Sequence, residues 1–327
     1  MMTLLVVDDD PIILRLMEGV LASLGYSDVH FALNADEAME LIERKDLSFS
    51  TIYLDILMPG MDGIELCRHI REIPQYRRVP ITMLTSVTEK ASIDASFIAG
   101  ATDYINKPID VIELGARLRV SQMLYNEQKL ADETRNLAEV LRTELDASAA
   151  SRVPAFDLGD PITIYDVPRV INALAMENYL HRLSRGRRFM LGAIGFQIRK
   201  VESLYARSTP AEFQSILTDV AEAIFENLRS HDAMISYYGN GSFVAIVPRV
   251  SRISQEDLEI ALSATLADFG LTVEGGLPMN LGLSVGELVQ SSMFETDPKK
   301  LVARAIDRAN ATQTSRYGVD LLHSSFG

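Results

Sequence analysis

Five short runs of apolar and β-branched residues are spaced along the first 120 positions: LLVV at 4–7, VHFA at 29–32, TIYLD at 51–55, PITML at 80–84 and TDYI at 102–105. Runs this short and this continuously apolar suit strands that are buried on both faces. The stretches between them, PIILRLMEGVLASLG and ADEAMELIERK among them, are amphipathic. Strand and helix alternating five times predict an α/β domain, a doubly wound five-stranded parallel sheet with helices on both faces. In such a sheet functional groups collect at the C-terminal strand ends, near the point where the strand order reverses.

The residues at those ends point to one chemistry. The first run ends in Asp8-Asp9-Asp10, the third in Asp55, and the fourth in Thr85-Ser86, while Lys107-Pro108 follows the fifth. Carboxylates converging on one edge repel each other unless a hard cation sits among them, and Mg²⁺ accepts such ligands while keeping several waters. Lys107 adds a fixed positive charge and Thr85 a hydroxyl donor. Together they would stabilise the charge of a phosphoryl group arriving at Asp55, a reaction that needs positioning more than covalent help.

In order and spacing, this set resembles a response-regulator receiver domain. LLVVDDDP matches the acidic pair, YLDILMPGMDG the phosphoacceptor strand and its loop, MLTS the hydroxyl position, and DYINKP the lysine with its cis-proline. The resemblance implies a flavodoxin-like fold over 1–120, phosphorylation of Asp55, and Mg²⁺ held by Asp8, Asp9 and Asp55. It also implies a switch aromatic at Tyr104, whose ring turns inward when Thr85 moves toward the phosphate. A sensor histidine kinase or phosphotransfer protein is the implied donor. Leu57, two positions past Asp55, is apolar and offers no hydrogen bond to a hydrolytic water, so slow self-dephosphorylation is expected.

After Asp110 the fifth helix does not stop. Ala116, Val120, Met123, Glu127, Leu130, Thr134, Leu137 and Leu141 alternate steps of four and three, the rhythm of a coiled-coil seam. Glu127 and Thr134 weaken it. The reading is a helical linker over 121–160 that pairs two chains in parallel; the alternative is a helix packed on its own second domain. Running from 110 to 146, it would span ~55 Å.

The chain's 327 residues leave room for a second domain, placed at 161–327. Its order is helix, strand, helical pair, a hairpin around YYGNGSF, helix, strand, helix. A hairpin in this order predicts an α+β domain with a mixed sheet. Behind a receiver and a helical connector, this resembles the GGDEF domain of diguanylate cyclases. GNGSFVAIVP stands at the signature hairpin, and LGAIGFQIRK at the strand that ends in the metal-binding D-x-D. The chemistry is missing. Gly241 and Ser242 occupy the acidic signature positions, Gly195 and Gln197 the D-x-D carboxylates, and Asn240 the second glycine. Lys200 remains, Ser203 replaces the guanine-reading asparagine, and Glu212 is the one carboxylate in the next contact loop. The resemblance therefore implies a catalytically inactive output domain, not an enzyme, that acts through an unknown downstream protein. An alternative is a cyclic di-GMP receptor through Arg229-x-x-Asp232, a match to the family's inhibitory-site motif. An active cyclase is a third reading, which would need unusual metal ligands.

Charge and composition narrow the partners. Net charge is −14, and residues 1–120 carry 19 acidic against 11 basic side chains, so both halves are acidic. That argues against a DNA-binding output, which needs a basic footprint. Five histidines without ligand spacing give no zinc site, and the single Cys67 excludes an internal disulfide. The opening MMTLLVV lacks a basic flank, and no apolar run reaches the ~18 residues of a membrane span. A cytoplasmic location and no membrane partner are expected.

Overall fold

The computed structural model describes residues 2–86, 90–123, 125–126, 129, 157–269, 272–273, 277–278, 281–292 and 297–323. The chain divides into two compact units, Met1–Ala150 and Ser151–Gly327.

In the first unit β1 (Leu4–Val7), α1 (Pro11–Ser23), β2 (Val29–Ala32), α2 (Ala35–Ile42), β3 (Thr51–Asp55), α3 (Gly63–Glu72), β4 (Ile81–Thr85), α4 (Lys90–Ile98), β5 (Asp103–Asn106) and α5 (residues 111–123) follow in turn. The first three strands have the expected bounds, and β4 and β5 start one residue later. All pairings are parallel, in the order β2-β1-β3-β4-β5. The order reverses at β1, so the ends of β1 and β3 flank the switch point.

Short polar side chains set where three of the helices begin. Asp10, Asn34 and Asp62 accept from the backbone N–H of Ile12, Glu37 and Glu65, at 2.8, 2.9 and 2.8 Å. Pro11 adds a preset φ at the first turn of α1. The turns from strand to helix stay short, and their side chains stay at the sheet edge. Leu114 and Leu118 of α5 join Leu4, Val6, Met17, Leu21 and Tyr53 in one core. The opposite face of α5 is uncovered: Ala116 is exposed, Val120 is 44% exposed and Met123 63%. These are the first three positions of the expected seam. Glu127, Leu130, Thr134, Leu137 and Leu141 lie outside the described residues, as does most of the 121–160 linker.

The second unit contains α6 (Ala173–Arg182), α7 (Arg185–Phe189), β6 (Leu191–Ile198), α8 (Val201–Arg207), α9 (Pro210–Leu228), β7 (Met234–Tyr237), β8 (Ser242–Pro248), α10 (Gln255–Asp268), β9 (Thr272–Val273), β10 (Leu277–Pro278), β11 (Leu283–Val285), β12 (Val289–Gln290) and α11 (Lys299–His323). Its main sheet runs β11-β6-β8-β7, with β12 also on β6, and each ladder between these strands is antiparallel. The expected mixed sheet is corrected to an antiparallel one, beside which the described residues show the parallel bridge Val170 to Ile235. The hairpin joining β7 to β8 dictates opposite strand directions.

β6 is buried along all eight residues. Ile194, Phe196 and Ile198 share a core with Phe213, Leu217 and Val220 of α9 and Leu262 of α10. Alternation turns Gly195 to the other face, where α11 lies so close that a Cβ would stand 2.0 Å from the Ala305 carbonyl oxygen. Leu158 and Gly159, just before position 161, pack on the hairpin between β7 and β8.

Candidate functional site

Lys107 lies between two carboxylates. Its Nζ is 2.7 Å from Asp55 Oδ1 and 2.7 Å from Asp8 Oδ2, and Asp8 is fully buried. The Lys107-Pro108 peptide is cis, and Lys107 N donates to the Thr85 carbonyl at 2.7 Å. The three adjacent aspartates have separate roles. Asp8 is buried and Asp9 is exposed, whereas Asp10 is spent on capping α1.

Asp8, Asp9 and Asp55 bring one carboxylate oxygen each within 4.8 Å of one another. Three acidic oxygens this close, one of them on a fully buried residue, fit a hard divalent cation such as Mg²⁺. Burial pushes the Asp55 carboxyl above its ordinary value, even though Lys107 pulls it down through a hydrogen bond and its charge. Asp8 and Asp9 push it further up. Burial alone would lower the Lys107 ammonium, but hydrogen bonds to Asp55 and Asp8 outweigh that and raise it. The lysine therefore stays charged where charge is needed.

The remaining expected residues fall around this group. Thr85 is buried at the C-terminal end of β4. Tyr104 is 5% exposed, and its ring meets Phe97 of α4 edge-on at 6.2 Å. Beside it, Asp103 accepts from Tyr104 N at 2.8 Å and pairs with Arg117 of α5 at 2.8 Å, tying β5 to α5. Leu57 is 61% exposed and Ile12 73%, two apolar side chains within four positions of the carboxylates.

Sequence reading missed Gly63. A Cβ there would lie 1.9 Å from the Asp55 carbonyl oxygen, so α3 starts directly against the end of β3 only because this residue has no side chain. The Asp62-Gly63 pair in YLDILMPGMDG was the available signal.

In the second unit the hairpin is closed on itself. Gly239, Asn240 and Gly241 all have positive φ, 83°, 50° and 73°. Gln197 Nε2 donates to the Asn240 carbonyl at 2.7 Å, and Ser242 Oγ donates to Gln197 Oε1 at 2.6 Å. Gly241 N donates to the Tyr237 hydroxyl at 3.1 Å. Over the turn lies the segment at 158–159, with Asn240 N donating to the Leu158 carbonyl at 2.7 Å. A Cβ on Gly239 would meet the Gly159 carbonyl oxygen at 2.2 Å. The turn is covered by its own chain, and neither the glycines nor Leu158 announces this in sequence.

The other singled-out residues have local roles. Lys200 is exposed and left-handed at φ 54°, at the start of α8, and Ser203 is exposed on that helix. Glu212 is not in a loop: it forms a reciprocal capping box with Thr209 at the start of α9. Arg229 sits exposed at the end of α9, and Asp232 is left-handed at φ 49°. The Asp232 carbonyl accepts from Arg169 Nη2 at 2.7 Å, and its carboxylate is 3.4 Å from Arg169 Nη1.

Residues 4–119 match the response regulator receiver domain family. Among curated proteins, the chain is 38% identical over 117 residues to the transcriptional regulatory protein YvrH of Bacillus subtilis, covering 36% of this chain and 47% of that protein. It is 34% identical over 164 residues to the response regulator PleD of Caulobacter vibrioides, covering 50% of this chain and 34% of that one. A solved structure of the Vibrio cholerae chemotaxis protein CheY4 is 31% identical and covers 37% of this chain and 98% of that chain, with a TM-score of 0.35. The chain spans about half or less of the length of these two curated relatives. Among the described residues, no helix is long and apolar enough to cross a membrane.

Proposed function

We propose that this chain, whose residues 4–119 are a response regulator receiver domain, is phosphorylated on Asp55 and signals through a second domain that binds rather than catalyses. The donor is a histidine kinase or phosphotransfer protein. An Asp55 carboxylate oxygen attacks the donor's phosphorus, and the leaving imidazole nitrogen keeps the electron pair of the broken bond. Lys107, held at 2.7 Å from Asp55, orients the nucleophile and faces the new negative charge. Mg²⁺ on Asp8, Asp9 and Asp55 would neutralise charge on the phosphoryl oxygens. Asp103 and Arg117 then offer a mechanical path from β5 into α5, whose exposed Ala116, Val120 and Met123 begin the dimer seam.

The second domain is read as GGDEF-like without its chemistry. One observation carries that reading: each position where the family places a carboxylate has another use here. Gly195 seats α11, Gln197 and Ser242 hold one another, and Gly241 turns the hairpin. With no carboxylate at these positions, neither a metal nor triphosphate charge is balanced there. Incubated with GTP and Mg²⁺ or Mn²⁺, phosphorylated or not, the protein is expected to form no cyclic di-GMP on anion-exchange chromatography. Product from the wild type would overturn the reading. The receptor alternative rests on Arg229 and Asp232. Calorimetry with cyclic di-GMP on wild type and Arg229→Ala decides it, and binding lost in the variant would favour it.

A further inference from the structure

One end of the second domain reverses the charge of the rest. Positions 178–192 and 247–255 contain six arginines and no Asp or Glu, in a chain of net charge −14. The two segments are neighbours in space. Arg249 N donates to the Met190 carbonyl at 2.8 Å, Arg249 Nη1 donates to the Phe189 carbonyl at 3.1 Å, and its guanidinium lies 4.0 Å over the Phe189 ring. This joint places the arginines of α7 beside the turn after β8. Arg185, Arg187 and Arg252 are exposed there. Met190 and Val250, at the same joint, are 53% and 76% exposed, two apolar side chains in solvent where β6 begins and β8 ends.

The reading of the second domain as a binding output needs a surface, and we infer that this one docks an acidic protein segment carrying an apolar anchor. Guanidinium forks pair with carboxylates in two parallel hydrogen bonds, which lysine does not offer. Arginine and methionine are enriched at protein interfaces, and an apolar centre rimmed by charge is their usual anatomy. A membrane or nucleic acid presents negative charge over a wide area and would face the acidic remainder of the chain as well. A short acidic segment reaches only the patch, because screening confines the field to about 8 Å at physiological salt.

The test uses fluorescence anisotropy on the full chain. The probe is a fluorescein-labelled twelve-residue peptide of glutamates interrupted by leucine and phenylalanine. Other arms are its lysine-for-glutamate counterpart, vesicles of three parts phosphatidylcholine to one part phosphatidylserine, and a single-stranded oligonucleotide. The acidic peptide is expected to bind, with affinity falling at least about tenfold in Arg185→Glu/Arg252→Glu and roughly fivefold in Val250→Ser. Both changes lie at exposed positions, and an unchanged melting temperature and Asp55 labelling show that they leave the fold intact. Equal binding by the charge-reversed variant, no binding of the acidic peptide, or preferential binding of vesicles or the oligonucleotide would overturn the assignment. Cyclic di-GMP formation sinks the binding-output reading instead, so the two failures are distinct.

Discussion

Gly195→Asp is expected to destabilise the second domain by more than about 4 kcal/mol, lowering its melting temperature by roughly 10 °C or more. The first added atom is already too much, since a Cβ would stand 2.0 Å from the Ala305 carbonyl oxygen and 2.5 Å from its carbon. Backbone in the middle of α11 yields less readily than a side-chain tip. The carboxylate would also enter a strand buried along its whole length, where desolvation penalises its charged form. Gly195→Ala separates the two effects and should cost about 1–3 kcal/mol from overpacking alone. Differential scanning calorimetry reads both, with the receiver transition as internal reference. An aspartate variant that melts like the wild type would mean that α11 moves aside freely. Under the proposed GGDEF-like reading, a Gly195→Asp/Gly241→Asp variant is therefore expected to fail on packing before it fails on chemistry. At Gly241 a side chain would meet φ of 73° and Val201 Cγ2 at 2.7 Å.

The second large effect is the loss of all phosphoryl label in Asp55→Asn. Acetyl phosphate with Mg²⁺ should label the wild type at Asp55 and nowhere else, read by intact mass and by peptide mapping after borohydride trapping. An amide at position 55 is a poor nucleophile, and it also removes one of three carboxylates from the cation group. Asp8 and Asp9 do not substitute. Asp8 is fully buried and paired with Lys107, while Asp9 is exposed and lacks that lysine contact among the described ion pairs. Lys107→Ala should still accept label, because the nucleophile remains, but should not pass the signal on. Stable label on Asp55→Asn would contradict the site.

The receiver was legible because its information is local. Strand bounds follow from uninterrupted apolar runs, and Asp8, Asp9, Asp55 and Lys107 sit at strand ends that topology brings together. The second domain was less legible for specific reasons. The sequence VPRVINALAMENYLHRL predicts one helix from position 167, but Asp166 and Arg169 have φ of 68° and 62°, Val170 instead bridges Ile235, and α6 begins only at Ala173. RGRRF forms α7 without apolar spacing to announce it. The stretch MNLGLSVGEL at 279–288 reads as one strand, but its described strand residues are only Leu283–Val285, β12 follows beyond it at Val289–Gln290, and a Cβ on the intervening Gly286 would be 2.8 Å from Ala309 N. Gly195 and Gly239 owe their importance to backbone that approaches from distant parts of the chain, at Ala305 and Gly159. The sequence marks such a glycine only as a missing side chain, without the neighbour that requires it.

We expect phosphorylation at Asp55 to control association through α5 and the helix predicted beyond it. Beryllofluoride mimics the phosphoryl group on aspartate, and its binding shifts a pre-existing equilibrium rather than creating a new state. In sedimentation velocity, the full chain with beryllofluoride and Mg²⁺ should move toward dimer, while Asp55→Asn under the same conditions should not. Leu130→Asp/Leu137→Asp should remain monomeric with the mimic, and Glu127→Leu should dimerise without it. A wild type whose sedimentation is unchanged by beryllofluoride, or a double-aspartate variant that dimerises as well as the wild type, would contradict the account.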